Sequence, residues 1–233
     1  MKQSVKFIHF SFVIFILCLI PVSPAYASSD AIPKIVYITF DDGPTYISNK
    51  LLDVLKEKNV KATFFVVGKE ITGREAILKR MYDEGHSIGL HTYSHSFRKI
   101  YKNQDTFIEQ MLLTSQKVKE ITGYTSHIIR FPGGSSNHLN ESFLNKLHES
   151  NLKVYDWNSN IYDGDFPGLS AYRLAENAKT VKGNSDEIII LMHTNSNNKR
   201  TVEALPKIID YYRNSGYKFL PITEDSKEYY YRF

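Results

Sequence analysis

The sequence predicts an α/β domain built on a parallel sheet, and three observations carry that prediction. Seven short β-favouring runs alternate with segments of helical periodicity. The runs are apolar at nearly every position, as befits strands covered on both faces. The polar residues that interrupt the pattern fall at the carboxyl ends of strands, where parallel α/β folds collect functional side chains. At 233 residues, 42% hydrophobic and 23% charged, the chain is ordinary for a globular protein and long enough for a sizeable core.

Residues 1–27 stand apart from that domain. Lys2 and Lys6 precede the apolar run Phe10 to Ile20, followed by Pro21, Pro24 and Ala25-Tyr26-Ala27. This is the pattern of a secretory signal peptide with an A-x-A cleavage site. The run falls short of the roughly 20 residues a spanning helix needs, so cleavage before Ser28 is expected, with retention as a membrane anchor the alternative. The domain at 28–233 is then expected outside the cell, secreted or associated with the wall. Cleavage takes the balance from 29 basic against 25 acidic residues to 27 against 25, a net charge of +2. So small a charge does not call for nucleic acid or another polyanion as partner. The single cysteine, Cys18, leaves with the segment, so the mature domain has neither a disulfide nor a thiol nucleophile. LPITE at 220–224 resembles a sortase signal only faintly, with Glu for Gly and no apolar tail behind it.

The first strand, KIVYITF (34–40), runs straight into Asp41-Asp42-Gly43-Pro44. Adjacent carboxylates repel each other and resist desolvation, so burying both requires a counter-charge, a metal or an arginine. The alternative is a solvated Asp-Gly-Pro turn. Ile47, Leu51 and Leu55 mark the helix that follows, and KATFFVVG (61–68) the second strand. The third, HSIGL (86–90), ends on HTYSH (91–95). At i, i+4 spacing His91 and His95 share one face of a helical turn, and with one carboxylate they form a three-ligand metal site with an open position.

Phe107, Met111, Thr114, Val118 and Ile121 recur at helical steps and stop at Gly123. The fourth strand, HIIRF (127–131), leads into Arg130 and the two glycines Gly133 and Gly134, the fifth, LKVYDW (152–157), ends on Asp156-Trp157, and the sixth, EIIILMH (187–193), on Leu191 and His193. A helix over Val202 to Arg213 buries Leu205, Ile208, Ile209 and Tyr212, stops at Gly216, and is strained in its first turns by Pro206. YKFLPI (217–222) is the seventh strand. No linker, low-complexity stretch or repeat divides the region, so a single domain is expected.

The chemistry follows from what gathers at the strand ends. One aspartate of the pair serves the metal, the other is free to take a proton from water, and His193 on the opposite wall can protonate a leaving group, with Arg130 and Asp156 orienting the two. Residue types alone do not decide which aspartate does which work.

TFDDGP, HTYSH, RFPGG, the DW of VYDW and the LMH of IIILMH resemble, in that order, the five motifs of the polysaccharide deacetylases, carbohydrate esterase family 4 or the NodB homology domain. The resemblance spans Thr39 to His193. It implies a distorted (β/α)7 barrel and metal-dependent hydrolysis of acetyl groups on a glycan polymer, with the N-acetylglucosamine of peptidoglycan the first choice. Chitin oligomers, acetylxylan, exopolysaccharide, and a catalytically silent glycan-binding protein on the same fold are the alternatives. It further implies Asp41 as general base held by Arg130, and Asp42, His91 and His95 as ligands of one divalent ion. Zinc comes first there, with cobalt, nickel or manganese also suited to the donors. His193 becomes the general acid tuned by Asp156, the Gly133 N–H an oxyanion donor, and Trp157 and Leu191 the lining of the acetyl pocket.

Two departures from the family pattern matter. Gly133 stands where an aromatic residue is frequent, so one pocket wall must come from elsewhere. Lys153 stands where an earlier aspartate is frequent. A two-carboxylate glycosidase fits poorly, because adjacent carboxylates at one strand end do not flank a glycosidic bond from opposite faces. Nothing in the sequence sets the oligomeric state.

Overall fold

The computed structural model describes residues 33–232; the signal-peptide reading of 1–27 lies outside them. The chain runs β1 (Ile35–Gly43), α1 (Tyr46–Glu57), β2 (Thr63–Val66), α2 (Gly68–Ile71), α3 (Glu75–Asp83), β3 (Ser87–Leu90), α4 (Phe97–Ile100) and α5 (Gln104–Thr122). It continues through β4 (Ile128–Ile129), α6 (Glu141–Glu149), β5 (Lys153–Val154), β6 (Ser159–Asn160), α7 (Ala171–Asn177), β7 (Glu187–His193), α8 (Lys199–Asn214) and β8 (Lys218–Phe219).

The long apolar run at the start of the domain becomes its central strand. β1 pairs in parallel with β7 along Ile35 to Asp41. Its other edge is shared, β8 lying against Ile35 and Val36 and β2 against Thr39 to Gly43. The sheet order is β5-β4-β3-β2-β1-β7-β6, every pair parallel. The two ends of that order, β5 and β6, are successive in the chain, so the sheet curls into an incomplete seven-strand barrel.

Near-continuous apolarity has a direct cause here. Alternate residues of β1 face different cores: Val36, Ile38 and Phe40 join the large cluster packed beneath the helices. Tyr37 belongs to a smaller cluster with Phe65, Ile128, Tyr155, Ile189 and Ile222, drawn mainly from the strands themselves. The helices bury the predicted stripes, Ile47, Leu51 and Leu55 in α1 and Leu205, Ile208, Ile209 and Tyr212 in α8. In α5 the Asn103 side chain accepts from the Thr106 N–H at the start, and Gly123, at φ 77°, ends the helix. No described helix is long and apolar enough to cross a membrane.

All seven predicted strands are present, but their roles shift in one place. β6 does not emerge from the sequence, because two residues carry no periodicity to read. It nevertheless takes a place on the barrel path. The run at 217–222 contributes only Lys218 and Phe219, beside the lower half of β1.

Candidate active site

In a regular strand Asp41 and Asp42 would point to opposite faces of the sheet. The β1–β2 register slips between Asp41 and Gly43, and Asp42 takes a left-handed φ of 70°. That bulge re-aims the second carboxylate, so both line a single cleft of about 400 Å³. Asp41 also pairs in register with His193 of β7, which brings the two to the same level on neighbouring strands.

Asp41 is buried and held by a fully buried Arg130. The guanidinium donates through Nη1 to Asp41 Oδ1 (2.9 Å) and Thr39 Oγ1 (2.7 Å), through Nε to the Tyr155 carbonyl (2.8 Å) and through Nη2 to the Asp156 carbonyl (3.0 Å). It also lies 4.1 Å from the centre of the Phe65 ring. Burial raises the Asp41 carboxyl above its ordinary value, and the Arg130 charge only partly opposes this. The result is a fixed carboxylate of raised basicity.

The two histidines come together by a different route from the predicted helical turn. Residues 91–96 form a loop, and Thr92 (φ 63°) and His95 (φ 50°) adopt left-handed conformations that no helix accommodates. The rings still meet, with centroids 5.1 Å apart. His91 Nδ1 lies 2.9 Å from the Arg130 carbonyl. A carbonyl only accepts, so Nδ1 carries the proton and Nε2 is left as a lone-pair donor. Burial, opposed by Asp42, pushes the His91 pKa down to about 3 and holds the ring neutral, the form that ligates. His91 Nε2 and His95 Nε2 stand 3.7 and 3.3 Å from Asp42 Oδ1. Ligand atoms of all three residues lie within 4.8 Å of one another. Two imidazoles and one carboxylate facing an open cleft fit a divalent metal.

The expectation that Asp156 tunes His193 is corrected by the structure. The carboxylate on His193 is Asp163: His193 Nδ1 donates to Asp163 Oδ1 (2.8 Å), and Asp163 Oδ2 accepts from the His193 N–H (2.9 Å) and the Thr201 hydroxyl (2.6 Å). Strand order is the reason. Asp156 follows β5, which does not pair with β7, whereas Asp163 follows β6, which pairs with β7 at Ser159–Ile190 and Asn160–Leu191. Asp156 instead accepts from the Ser135 N–H (3.0 Å) and hydroxyl and from the Tyr231 N–H (3.1 Å), tying two loops together. The signal for Asp163 lies in DGD at 163–165, carboxylates at the end of a strand too short to recognise. Burial works against a charged His193, but the Asp163 hydrogen bond and charge, with Asp41 and Asp42 behind them, overcome it and push the ring up to about 9. His193 is an imidazolium at neutral pH, with Nδ1 occupied and the Nε2 proton left to give.

Gly133, Trp157 and Leu191 line the same cleft. Gly133 has a φ of 78°, and its N–H meets no acceptor among the described residues. The wall it lacks is supplied by Phe97 at the start of α4. A Cβ at position 133 would lie 3.2 Å from Phe97 Cε1, and Phe97 stands edge-on to His95 and Tyr101 at 5.8 and 5.7 Å while remaining 50% exposed. Lys153 takes no part in the cleft; its ammonium binds the Glu224 carbonyl at 2.5 Å.

A buried carboxylate fixed by an arginine, an imidazole held by a second carboxylate and a metal-type donor set in one cleft are the equipment of a hydrolase that removes acyl groups. The family follows from comparison: the polysaccharide deacetylase family model matches residues 28–154, and the chain belongs to that family. It is 34% identical over 197 residues to a peptidoglycan-N-acetylglucosamine deacetylase of Bacillus cereus, covering 83% of this chain and 71% of the relative. Its fold superimposes on the crystal structure of a polysaccharide deacetylase from Bacillus cereus with a TM-score of 0.76 at 33% identity, covering 83% of this chain and 94% of the other. The catalytic domain of a peptidoglycan N-acetylglucosamine deacetylase from Eubacterium rectale gives 0.77 at 32% identity, covering 85% and 93%.

Proposed function

We propose that the protein removes N-acetyl groups from N-acetylglucosamine residues of peptidoglycan, outside the cell and with the help of one divalent metal ion. The observation that carries this reading is that Asp41 and His193, level with each other on neighbouring strands, line one cleft with the Asp42, His91 and His95 donors. The substrate is supported by relatives whose names state that activity, and the location by the signal-like residues 1–27.

Asp42, His91 and His95 would hold the ion, zinc being the first choice, and when bound it supplies Lewis-acid polarisation of the acetyl carbonyl. Asp41, kept in place by Arg130, takes a proton from the water that adds to the carbonyl carbon. The free Gly133 N–H is available to the oxyanion that develops. The carbon–nitrogen bond then breaks, and His193 gives its Nε2 proton to the departing amine, so that acetate and a free amino sugar result. Asp163 keeps His193 oriented and charged until that step.

Acetate release and free amine should be measured on peptidoglycan, chitooligosaccharides and acetylxylan with added metals. Prolonged chelation is expected to abolish activity and a divalent ion to restore it; full activity in protein verified as metal-free would end the metal assignment. Release of ester-linked acetate from xylan alone would overturn the substrate while leaving the mechanism intact.

The pH dependence tests the acid. A folded pKa of about 9 against an ordinary 6.5 means that the stabilising His193–Asp163 charge pair is fully present below pH 6.5 and is lost as pH rises through about 9. The alkaline limb of kcat/KM should follow the same group. Asp163→Asn removes the largest raising influence and should move that limb toward 6.5. An unmoved limb would show that Asp163 serves structure alone.

A further inference from the structure

We infer that a depression beside the catalytic cleft is a second sugar subsite, one that takes a pyranose bearing a carboxylate and pairs that carboxylate with Lys182. The inference rests on the peptidoglycan reading above and extends it to the neighbouring sugar of the polymer.

The depression, about 490 Å³, matches the catalytic cleft in scale and shares Trp157 and Asn160 with it. A glycan that leaves the catalytic cleft on this side crosses Trp157 to reach the depression. The shared wall is rigid. Tyr231 packs edge-on against Trp157, with centroids 5.6 Å apart, and its hydroxyl donates to the Trp157 carbonyl at 3.0 Å. Gly134 lets the two rings close over it: a Cβ there would lie 3.0 Å from the indole and 3.1 Å from the Tyr231 ring. Asp156, displaced from the role the family pattern implied, holds the Tyr231 N–H and the Ser135 turn and so fixes this platform.

The remaining lining has the chemistry of carbohydrate recognition, flat aromatic faces for the C–H side of a pyranose and amide or hydroxyl groups for its oxygens. Tyr162 is 39% exposed and is set in a left-handed turn whose N–H is taken by Asn160 Oδ1 at 2.7 Å. Asn160 and Thr180 supply polar groups.

Lys182 is the one charged residue among the lining residues, and no carboxylate pairs with it among the described residues. Its backbone is fixed, the Lys182 N–H donating to the Asn158 carbonyl at 2.8 Å while the Asn158 side chain bonds the Glu187 carbonyl and the Ile189 N–H. An exposed ammonium on a fixed backbone, in a pocket without acids, is complementary to an anion on the neighbouring sugar. In peptidoglycan strands freed of their peptides that sugar carries a lactyl ether with a free carboxylate; where the peptide is attached the carboxyl is a neutral amide, and in chitin there is none, so the subsite selects peptide-free strands.

The test uses three tetrasaccharides: one from peptidoglycan stripped of peptides, with free lactyl carboxylates, its neutral methyl ester, and chitotetraose. Lys182→Ala is expected to raise KM for the acid form about two- to fivefold, the range of one solvent-exposed ion pair, with smaller changes for the two neutral substrates. Lys182→Glu should reverse the preference between acid and ester. Equal effects on all three, or none on the acid form, would overturn the subsite. If the wild-type enzyme turned over chitotetraose but neither peptidoglycan form, the peptidoglycan reading itself would fall. The subsite would then be judged by inhibition of chitotetraose hydrolysis: an acid form that inhibits Lys182→Ala less than wild type upholds it, and equal inhibition refutes it.

Discussion

Asp41→Asn is expected to cost the enzyme about 10²–10⁴ in rate while leaving it folded and able to take up metal. The substitution removes the base but preserves an oxygen acceptor for Arg130 Nη1, and the guanidinium keeps Thr39, the Tyr155 carbonyl and the Asp156 carbonyl as partners. The donor set of Asp42, His91 and His95 is untouched. Asp42→Asn should fail differently, losing metal and activity together, because a carboxylate oxygen beside two imidazoles is replaced by a neutral amide oxygen. Elemental analysis beside acetate release separates the two. A metal-free Asp41→Asn with a metal-loaded Asp42→Asn would exchange the roles; full metal and activity in both would return the pair to an ordinary turn.

Arg130→Met is expected to lower stability by about 3–5 kcal/mol, the usual consequence of leaving a buried charge without its partner. Asp41 would then be a buried carboxylate with its ion pair gone, and the Tyr155 and Asp156 carbonyls would each lose a charged donor. Activity should fall even well below the unfolding transition, since Arg130 is the side chain that fixes the Asp41 carboxylate. Arg130→Lys keeps the charge but not the planar fork that serves four acceptors at once, so an intermediate loss is expected. Denaturant midpoints at constant m-value provide the measurement. A shift under about 0.5 kcal/mol for Arg130→Met, the range of ordinary surface substitutions, would show that the arginine is not the counter-charge for Asp41.

Much of the site is legible in the order of the residues. The apolar runs and helical stripes fall where the elements form, because burial is written in the chemistry of neighbours two to four residues apart. The unusual polar residues are legible for the same reason: two acids ending an apolar strand, two histidines four apart and an arginine before a pair of glycines each violate local pattern. The acids and histidines line one cleft, and Arg130 lies buried against Asp41 beside it.

Other features belong to the tertiary structure alone. A bulge at Asp42 turns two neighbouring carboxylates to one side, and left-handed turns at Thr92 and His95 bring the histidines together without a helix. Phe97 fills the space beside Gly133 from far back in the chain, and Asp163, not Asp156, reaches His193 because a two-residue strand lies against β7. The sequence by itself determined the longer strands and helices, their covered faces and most of the polar side chains of the cleft, since these depend on short-range pattern. Only the tertiary structure decided which carboxylate serves which histidine and which ring closes the pocket, because those pairings are set by strand order and by the packing of residues distant in the chain.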